Sequence, residues 1–212
     1  TVEAIFRGPS SDFNGSHWNT TKVFGPKVAG LVEHDNVIHQ PTANAVNMYG
    51  MANGLPLDDL ESGFDPNHPF QNRDPRFYHD IVFDGFQYLH GAAGDRAAYV
   101  YCQLYTGGNM RPVANGSRTG YFIQKLVPHT CNVIDRDYDW GSAVHVYLPY
   151  MRLADVYLLY AEATAAKDGK SFTRTNKASN CSLTSEDAVN KVRRRCGAGD
   201  VHPKLTGFAD MD

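Results

Sequence analysis

The 212-residue chain lacks several features that mark well-known classes of protein. It has four cysteines but no Cys-x-x-Cys pair, so we expect neither a zinc cluster nor a redox pair, only small buried or half-buried thiols. It has no apolar run of the length that crosses a membrane, and no signal peptide or lipobox cysteine at its start. Its formal net charge of −3 gives no electrostatic reason to expect nucleic acid as a partner.

Motifs of several enzyme classes are missing as well. The chain has no phosphate-binding loop, no dinucleotide fingerprint and no Gly-x-Ser-x-Gly nucleophile turn. Its nine histidines are scattered, and within the predicted helices none has the spacing of a helical zinc site. Asp135, Asp137 and Asp139 begin like a calcium loop, but Trp140 stands where the sharp-turn glycine belongs. We therefore predict no metal and no cofactor.

The composition itself is that of an ordinary globular protein that is somewhat rich in aromatic residues. Hydrophobic residues make up 42% and charged residues 20% of the chain, which is long enough to bury a sizeable core in one domain. Aromatic residues make up 12%. Glycine and proline are plentiful between residues 7 and 120, so much of that half is predicted to be loop.

The clearest predicted element is a helix from Pro149 to Ala166. Its apolar residues recur at intervals of three and four, and Leu158 and Leu159 lie off that stripe. Proline suits the first turn of a helix, which favours a start at Pro149. Because more than half of the circumference is apolar, we expect this helix to be buried on two opposite sides.

Shorter elements are predicted on both sides of this helix. A second helix is punctuated by Thr184 as its cap, Asp187 as a capping-box acid and Gly197 as its stop. A short helix is expected between Thr42 and about Tyr49. The predicted strands are Val2–Arg7, Ile81–Phe83, Ala97–Tyr105 and Tyr121–Leu126.

Two groups of charged residues are interpreted as structural. Arg152, Asp155 and Glu162 share a narrow polar stripe with no nucleophile beside it, which indicates a scaffold ion-pair network. At residues 72–76, in Asn-Arg-Asp-Pro-Arg, the aspartate is predicted to cap a turn. Both arginines of this motif are expected to bond carbonyls or carboxylates of the surrounding loops.

Two loops carry the mixture of side chains that binds sugars. Flat aromatic faces cover the apolar faces of pyranose rings, while amides and charged groups bond the hydroxyls. The predicted ligand-binding residues are Phe13, His17, Trp18, Asn19, Tyr138 and Trp140. Trp18 is expected at a concave surface. Each Trp could instead anchor its loop to the scaffold, and that alternative stays open.

Three stretches, in order, resemble the SusD/RagB family, the surface nutrient-binding lipoproteins of Bacteroidetes. Residues 44–78 contain Asn-Ala-Val-Asn-Met-Tyr-Gly-Met-Ala-Asn-Gly-Leu-Pro and then Asn-Arg-Asp-Pro-Arg-Phe-Tyr, similar to two motifs of the family. The central helix, with its Pro-Tyr-Met-Arg-Leu-Ala-Asp-Val-Tyr-Leu-Leu-Tyr-Ala-Glu-Ala run, looks like a family helix. Residues 188–197 resemble the family's helix that ends in Val-Arg-x-Arg-Ala-Gly.

The resemblance implies a mainly α fold: part of a SusD-like, tetratricopeptide-type helical scaffold with large irregular loops and a few short β-strands. Residues 1–212 are then part of a single SusD-like domain. Family members are usually much longer, with helical repeats in the N-terminal half and a further Glu/Arg-rich helix pair. We therefore expect the chain to be an internal fragment without those parts.

The implied function is non-catalytic binding of glycans or other nutrients at the bacterial cell surface. Family members deliver oligosaccharides to a SusC-like TonB-dependent transporter and are held at the outer membrane by a lipid anchor, here expected outside this chain. A peptide-binding relative of the same family is an alternative. A different class, a glycoside hydrolase, could use Asp84, Asp95 or Asp139, although nothing in the sequence groups them. A third possibility is an architectural fragment that binds nothing by itself.

Overall fold

A computed structural model describes residues 3–8, 40–91, 94–111, 116–125, 149–168 and 183–206. The chain divides into two compact units, of which the first comprises residues 1–9, 50–76 and 147–212. The second unit comprises residues 10–49 and 77–146. Among the described residues no helix is both long and apolar enough to span a membrane.

Helices are the longest elements of the described chain, and all of its strands are short. The helices are α1 (Ala43–Asn47), α2 (Pro75–Asp80), α3 (Leu153–Asp168), α4 (Ser185–Arg195) and α5 (Pro203–Thr206). The strands are β1 (Ala4–Arg7), β2 (Ile81–Val82), β3 (Phe122–Ile123) and β4 (Pro149–Arg152). A 3₁₀ helix spans Gly94–Tyr99. This helical character agrees in part with the predicted fold class.

The central helix begins later than predicted. Residues Pro149–Arg152 form β4, which pairs antiparallel with β1, so they are not the first helical turn. The backbone N–H of Leu153 donates to the carbonyl of Glu3 at 2.8 Å. Helix α3 starts there because the carboxylate of Asp155 accepts the backbone N–H of Arg152 at 2.7 Å. Pairing with a distant segment has overridden the local preference of proline for a helix start.

The expectation that this helix is buried on two sides is wrong for α3. Ala154, Ala161 and Thr164 are buried, and they lie on one face. Leu158 and Leu159 are 44% and 57% exposed. Helix α3 packs against α4, and small side chains on its buried face permit that close approach.

Helix α4 has the predicted ends. The Thr184 hydroxyl accepts the Asp187 backbone N–H at 3.0 Å, and the Asp187 carboxylate accepts the Thr184 N–H at 3.3 Å, which is a capping box. After the helix, Gly197 has a φ of 77°, a left-handed conformation that favours glycine. An ion pair joins Arg195 near the end of α4 to Glu3.

The second unit is organised around one hydrophobic cluster. Its buried members are Val82, Tyr88, Leu89, Cys102, Leu104, Met110 and Phe122. Strands β2 and β3 pair antiparallel beside it, and β3 is shorter than the strand predicted at residues 121–126. The strand predicted at residues 97–105 is also wrong, because residues 94–99 are a 3₁₀ helix and only Tyr101 forms an isolated bridge, with Gln87.

Candidate functional site

The predicted ligand-binding residues lie outside the described part of the chain. They are Phe13, His17, Trp18, Asn19, Tyr138 and Trp140. Their role, and the concave surface expected at Trp18, therefore stay predictions.

The Asn-Arg-Asp-Pro-Arg motif at residues 72–76 braces loops of the first unit. Arg73 and Asp74 are buried. The Arg73 guanidinium donates to the carbonyl of Pro69 at 2.9 Å. The Asp74 carboxylate accepts the Arg76 backbone N–H at 2.9 Å and the Arg76 guanidinium at 2.6 and 2.9 Å. The motif therefore has the structural role predicted for it, and its charges are used within the fold.

The polar stripe on the central helix does not form the predicted ion-pair network. Asp155 accepts a backbone N–H at the start of α3, and Glu162 is exposed. Within the described residues, none of Arg152, Asp155 and Glu162 forms an ion pair. Because Asp155 is used as a helix cap, the stripe has no paired acid and base in this part of the chain.

Metal-ligating residues are not grouped in the described ranges. There, no set of three or more His, Cys, Asp and Glu side chains is placed to hold a metal ion. Cys102 is buried and Cys196 is half-buried, both with free thiols. Burial, reinforced by the Asp84 carboxylate, raises the pKa of the Cys102 thiol far above its usual value, so it is an inert core residue.

A surface of the second unit carries exposed aromatic and amide side chains together. We call it the tyrosine face, and its residues are Gln87, Tyr101, Gln103 and Tyr105. Gln87 and Tyr101 are opposite each other in an antiparallel bridge, which places them on the same face. Two backbone hydrogen bonds lie beside this bridge. The Cys102 N–H donates to the Phe86 carbonyl and the Gly85 N–H donates to the Cys102 carbonyl, both at 2.8 Å.

Burial alternates along the segment that carries the two tyrosines. Cys102 and Leu104 are buried in the hydrophobic cluster. Tyr101 and Tyr105 are 56% and 55% exposed, and Gln103 between them is half-buried. Because the side chains of Cys102 and Leu104 lie in the core, those of Tyr101 and Tyr105 lie toward the outside of the unit. The core thus fixes the outward direction of both rings.

The far end of the tyrosine face is held by a side chain and by a tight turn. The Asp84 carboxylate accepts the N–H groups of Leu104 and Tyr105 at 2.7 and 3.3 Å. Gly107, with a φ of 93°, lies in a turn closed by Gly108 N–H and the Tyr105 carbonyl at 2.8 Å. A Cβ on Gly108 would overlap with the backbone of Gln103. The turn therefore requires glycine at position 108, where its backbone lies against that of Gln103.

The sequence profile of the SusD family matches residues 2–207. The chain belongs to the SusD family. A crystal structure of a SusD-like protein, BF3747 of Bacteroides fragilis NCTC 9343, is 26% identical with a TM-score of 0.50, over 81% of this chain and 30% of that chain. The selenomethionine form of BT4246 shares the fold at 24% identity and a TM-score of 0.51, over 78% of this chain and 29% of that one. A comparison with curated proteins gives no match.

Membership of the SusD family confirms the resemblance that three sequence motifs predicted. This SusD-family chain spans about 30% of the length of the two solved structures. The tyrosine face was missed from the sequence, where its segment was interpreted as part of a strand at residues 97–105. The alternation of Tyr, Cys, Gln, Leu and Tyr at residues 101–105 is the signal that could have found it.

Proposed function

We propose that the protein binds glycans or related nutrients at the bacterial cell surface without converting them, and passes them to a TonB-dependent outer-membrane transporter. The match of the SusD family over residues 2–207 is the observation that carries this proposal. Binding would combine stacking on aromatic rings with several hydrogen bonds to sugar hydroxyls. The loops around Trp18 and Trp140 are expected to contribute such rings.

Of the three acids considered for a glycoside hydrolase, the structure describes the surroundings of Asp84, while the side chains of Asp95 and Asp139 lie outside the described part of the chain. A glycoside hydrolase needs two carboxyl groups facing each other at about 5 to 10 Å across the scissile bond. Asp84, one of the candidate acids, instead bonds two backbone N–H groups, and Asp74 bonds Arg76. Both carboxylates are therefore used to hold the fold.

Titration calorimetry of the chain tests the proposal. The ligands are maltohexaose, cellohexaose and xylohexaose, with a tryptic digest of casein as the peptide probe. We expect saturable binding of at least one oligosaccharide. Trp18→Ala should weaken it about fivefold, because a stacked ring contributes about 1 kcal/mol, while Trp18→Phe keeps an aromatic face and most of the affinity. Binding of the peptides alone, or of nothing at millimolar concentration, contradicts glycan capture.

Delivery to a transporter predicts separate results at the level of the genome and of bacterial growth. The gene beside this one should encode a TonB-dependent transporter. Deleting either gene should abolish growth on the glycan that the protein binds and leave growth on glucose unchanged. Normal growth of both deletion strains on that glycan would contradict delivery, whatever the calorimetry shows.

A further inference from the structure

We propose that Asn53 is a site of spontaneous deamidation, which the folded first unit keeps closed and which opens when residues 56–62 detach from it. We call residues 56–62 the acidic loop, since they include Asp58, Asp59 and Glu61. Asn53 is followed by Gly54, whose lack of a side chain leaves its backbone nitrogen unshielded for attack on the asparagine. This inference does not depend on any ligand of the protein.

The backbone around Asn53 forms a tight turn that holds the attacking nitrogen. The N–H of Gly54 donates to the carbonyl of Met51 at 2.9 Å, and the N–H of Met51 donates to the carbonyl of Leu55 at 2.9 Å. Gly54 has a φ of 89°, which glycine adopts without strain. The Gly54 nitrogen must leave its hydrogen bond to Met51 before it can attack the Asn53 side chain.

The carboxamide of Asn53 is held by three further hydrogen bonds. Its Oδ1 accepts the backbone N–H of Leu55 at 3.1 Å. Its Nδ2 donates to the carbonyls of Glu61 and Ser62, at 3.3 and 3.2 Å. Because Nδ2 is the group that leaves during deamidation, both bonds to the acidic loop must break for the reaction to occur. The attached loop therefore keeps the site closed.

Once the loop has detached, the reaction needs only water. The Gly54 nitrogen gives its proton to solvent and forms a bond to Cγ of Asn53. The Cγ–Nδ2 bond breaks, and Nδ2 takes up a proton and leaves as ammonia, so that a succinimide ring remains. Water then adds to one of the two ring carbonyls and opens the ring, which yields aspartate or isoaspartate at this position.

Neither product fits the closed site. Aspartate lacks the two N–H groups that bond the loop, and its carboxylate would face the carbonyl oxygens of Glu61 and Ser62. It would also add a negative charge beside a loop that already carries three acidic side chains. Isoaspartate lengthens the backbone within the turn. Deamidation therefore converts a reversible opening of the loop into a permanent one.

An ion pair outside the turn helps to hold the acidic loop in place. The Lys204 ammonium of helix α5 lies 2.9 Å from a carboxylate oxygen of Asp59 and 3.5 Å from one of Glu61. Removing this ammonium should let the loop detach more often, while the turn itself keeps all of its own hydrogen bonds. Lys204 therefore controls how often the deamidation site opens.

The test follows conversion of Asn53 at mildly alkaline pH, in buffer and in guanidinium chloride, by tandem mass spectrometry of the tryptic peptide of residues 28–73. Conversion should be at least about tenfold slower in buffer, because several hydrogen bonds must first open. Lys204→Ala should raise the rate in buffer about twofold and leave the rate in guanidinium chloride unchanged. Lys191→Ala, an exposed lysine of the same unit, is the matched control and should change neither rate.

Equal rates in buffer and in guanidinium chloride would overturn the closed site. An unchanged rate in buffer for Lys204→Ala would overturn the role of the acidic loop. Asn53→Asp supplies one product directly, and it should lower the melting temperature by about 5 °C through the loss of both bonds to the loop. An unaltered melting temperature would show that the loop closes again after deamidation, against this inference.

Discussion

Asp74 shows how a single residue in the Asn-Arg-Asp-Pro-Arg motif stabilises its loop. It is 3% exposed. Burial alone would raise the pKa of this carboxyl, but hydrogen bonds from the Arg76 guanidinium and backbone N–H outweigh it and lower the pKa below its usual value. The folded chain therefore favours the ionised form of Asp74, which accepts the hydrogen bonds from Arg76.

Replacing Asp74 by Asn should lower the free energy of unfolding by about 2 kcal/mol at neutral pH, because a buried charge-assisted pair is lost. The folded-state pKa lies below the unfolded value of about 3.9, so the carboxylate stabilises fully above that pH. Its contribution disappears as the pH falls through the folded pKa. The free energy of unfolding, measured with urea between pH 2 and 7, should therefore fall less steeply toward low pH for the variant than for the unmodified chain.

Glu61→Gln is the matched control for this prediction. Glu61 is 66% exposed and lies 3.5 Å from the Lys204 ammonium, so its ion pair is a solvated one. Its loss should change the free energy of unfolding by less than about 0.5 kcal/mol. If the free energies of unfolding of Asp74→Asn and of the unmodified chain fall equally steeply toward low pH, the role assigned to Asp74 is contradicted.

At the scale of elements, two adjacent residues at the start of helix α4 should respond differently to replacement by alanine. Thr184→Ala removes the cap and should cost about 1 kcal/mol. Ser185 is buried, and its hydroxyl lacks a hydrogen-bond partner in the described part of the chain. Ser185→Ala should therefore leave the melting temperature equal or raise it. A larger loss for Ser185→Ala than for Thr184→Ala in thermal unfolding would refute this description of the helix start.

At the turn of residues 105–110, a substitution should lower stability through steric overlap alone. Gly108→Ala should cost about 2 kcal/mol, since its methyl group meets the backbone of Gln103, which cannot move without disturbing the segment. Gly199→Ala is the control, because the nearest atom to its Cβ is the Ala52 carbonyl oxygen at 3.8 Å. Chemical unfolding of both variants checks this, and equal stabilities would contradict the tight turn.

These elements also show what the sequence could predict. The ends of α4 were predicted correctly because a capping box and a left-handed glycine act within a few residues. The start of α3 was not, because Pro149–Arg152 pair with β1, more than 140 positions away. The 3₁₀ helix at Gly94–Tyr99 was likewise missed, since a Tyr- and Val-rich composition does not fix a strand without a long partner.

At the scale of the whole molecule, motifs were more informative than burial patterns. Three short sequence matches predicted a family that is now shown over residues 2–207. The same helix that carried one of these motifs gave a wrong expectation of two-sided burial, and Leu159 on it is exposed. Periodicity shows which residues share a face, but it does not show whether another element covers that face.

The central claim is that this chain binds a glycan and does not cleave it. The most direct measurement combines calorimetry with an assay for new reducing ends on the same mixtures of protein and maltohexaose, cellohexaose or xylohexaose. The account predicts saturable heat of binding with no reducing ends above those of ligand alone after prolonged incubation. Release of reducing ends that disappears when Asp84 is replaced by Asn in a variant that still folds would contradict it.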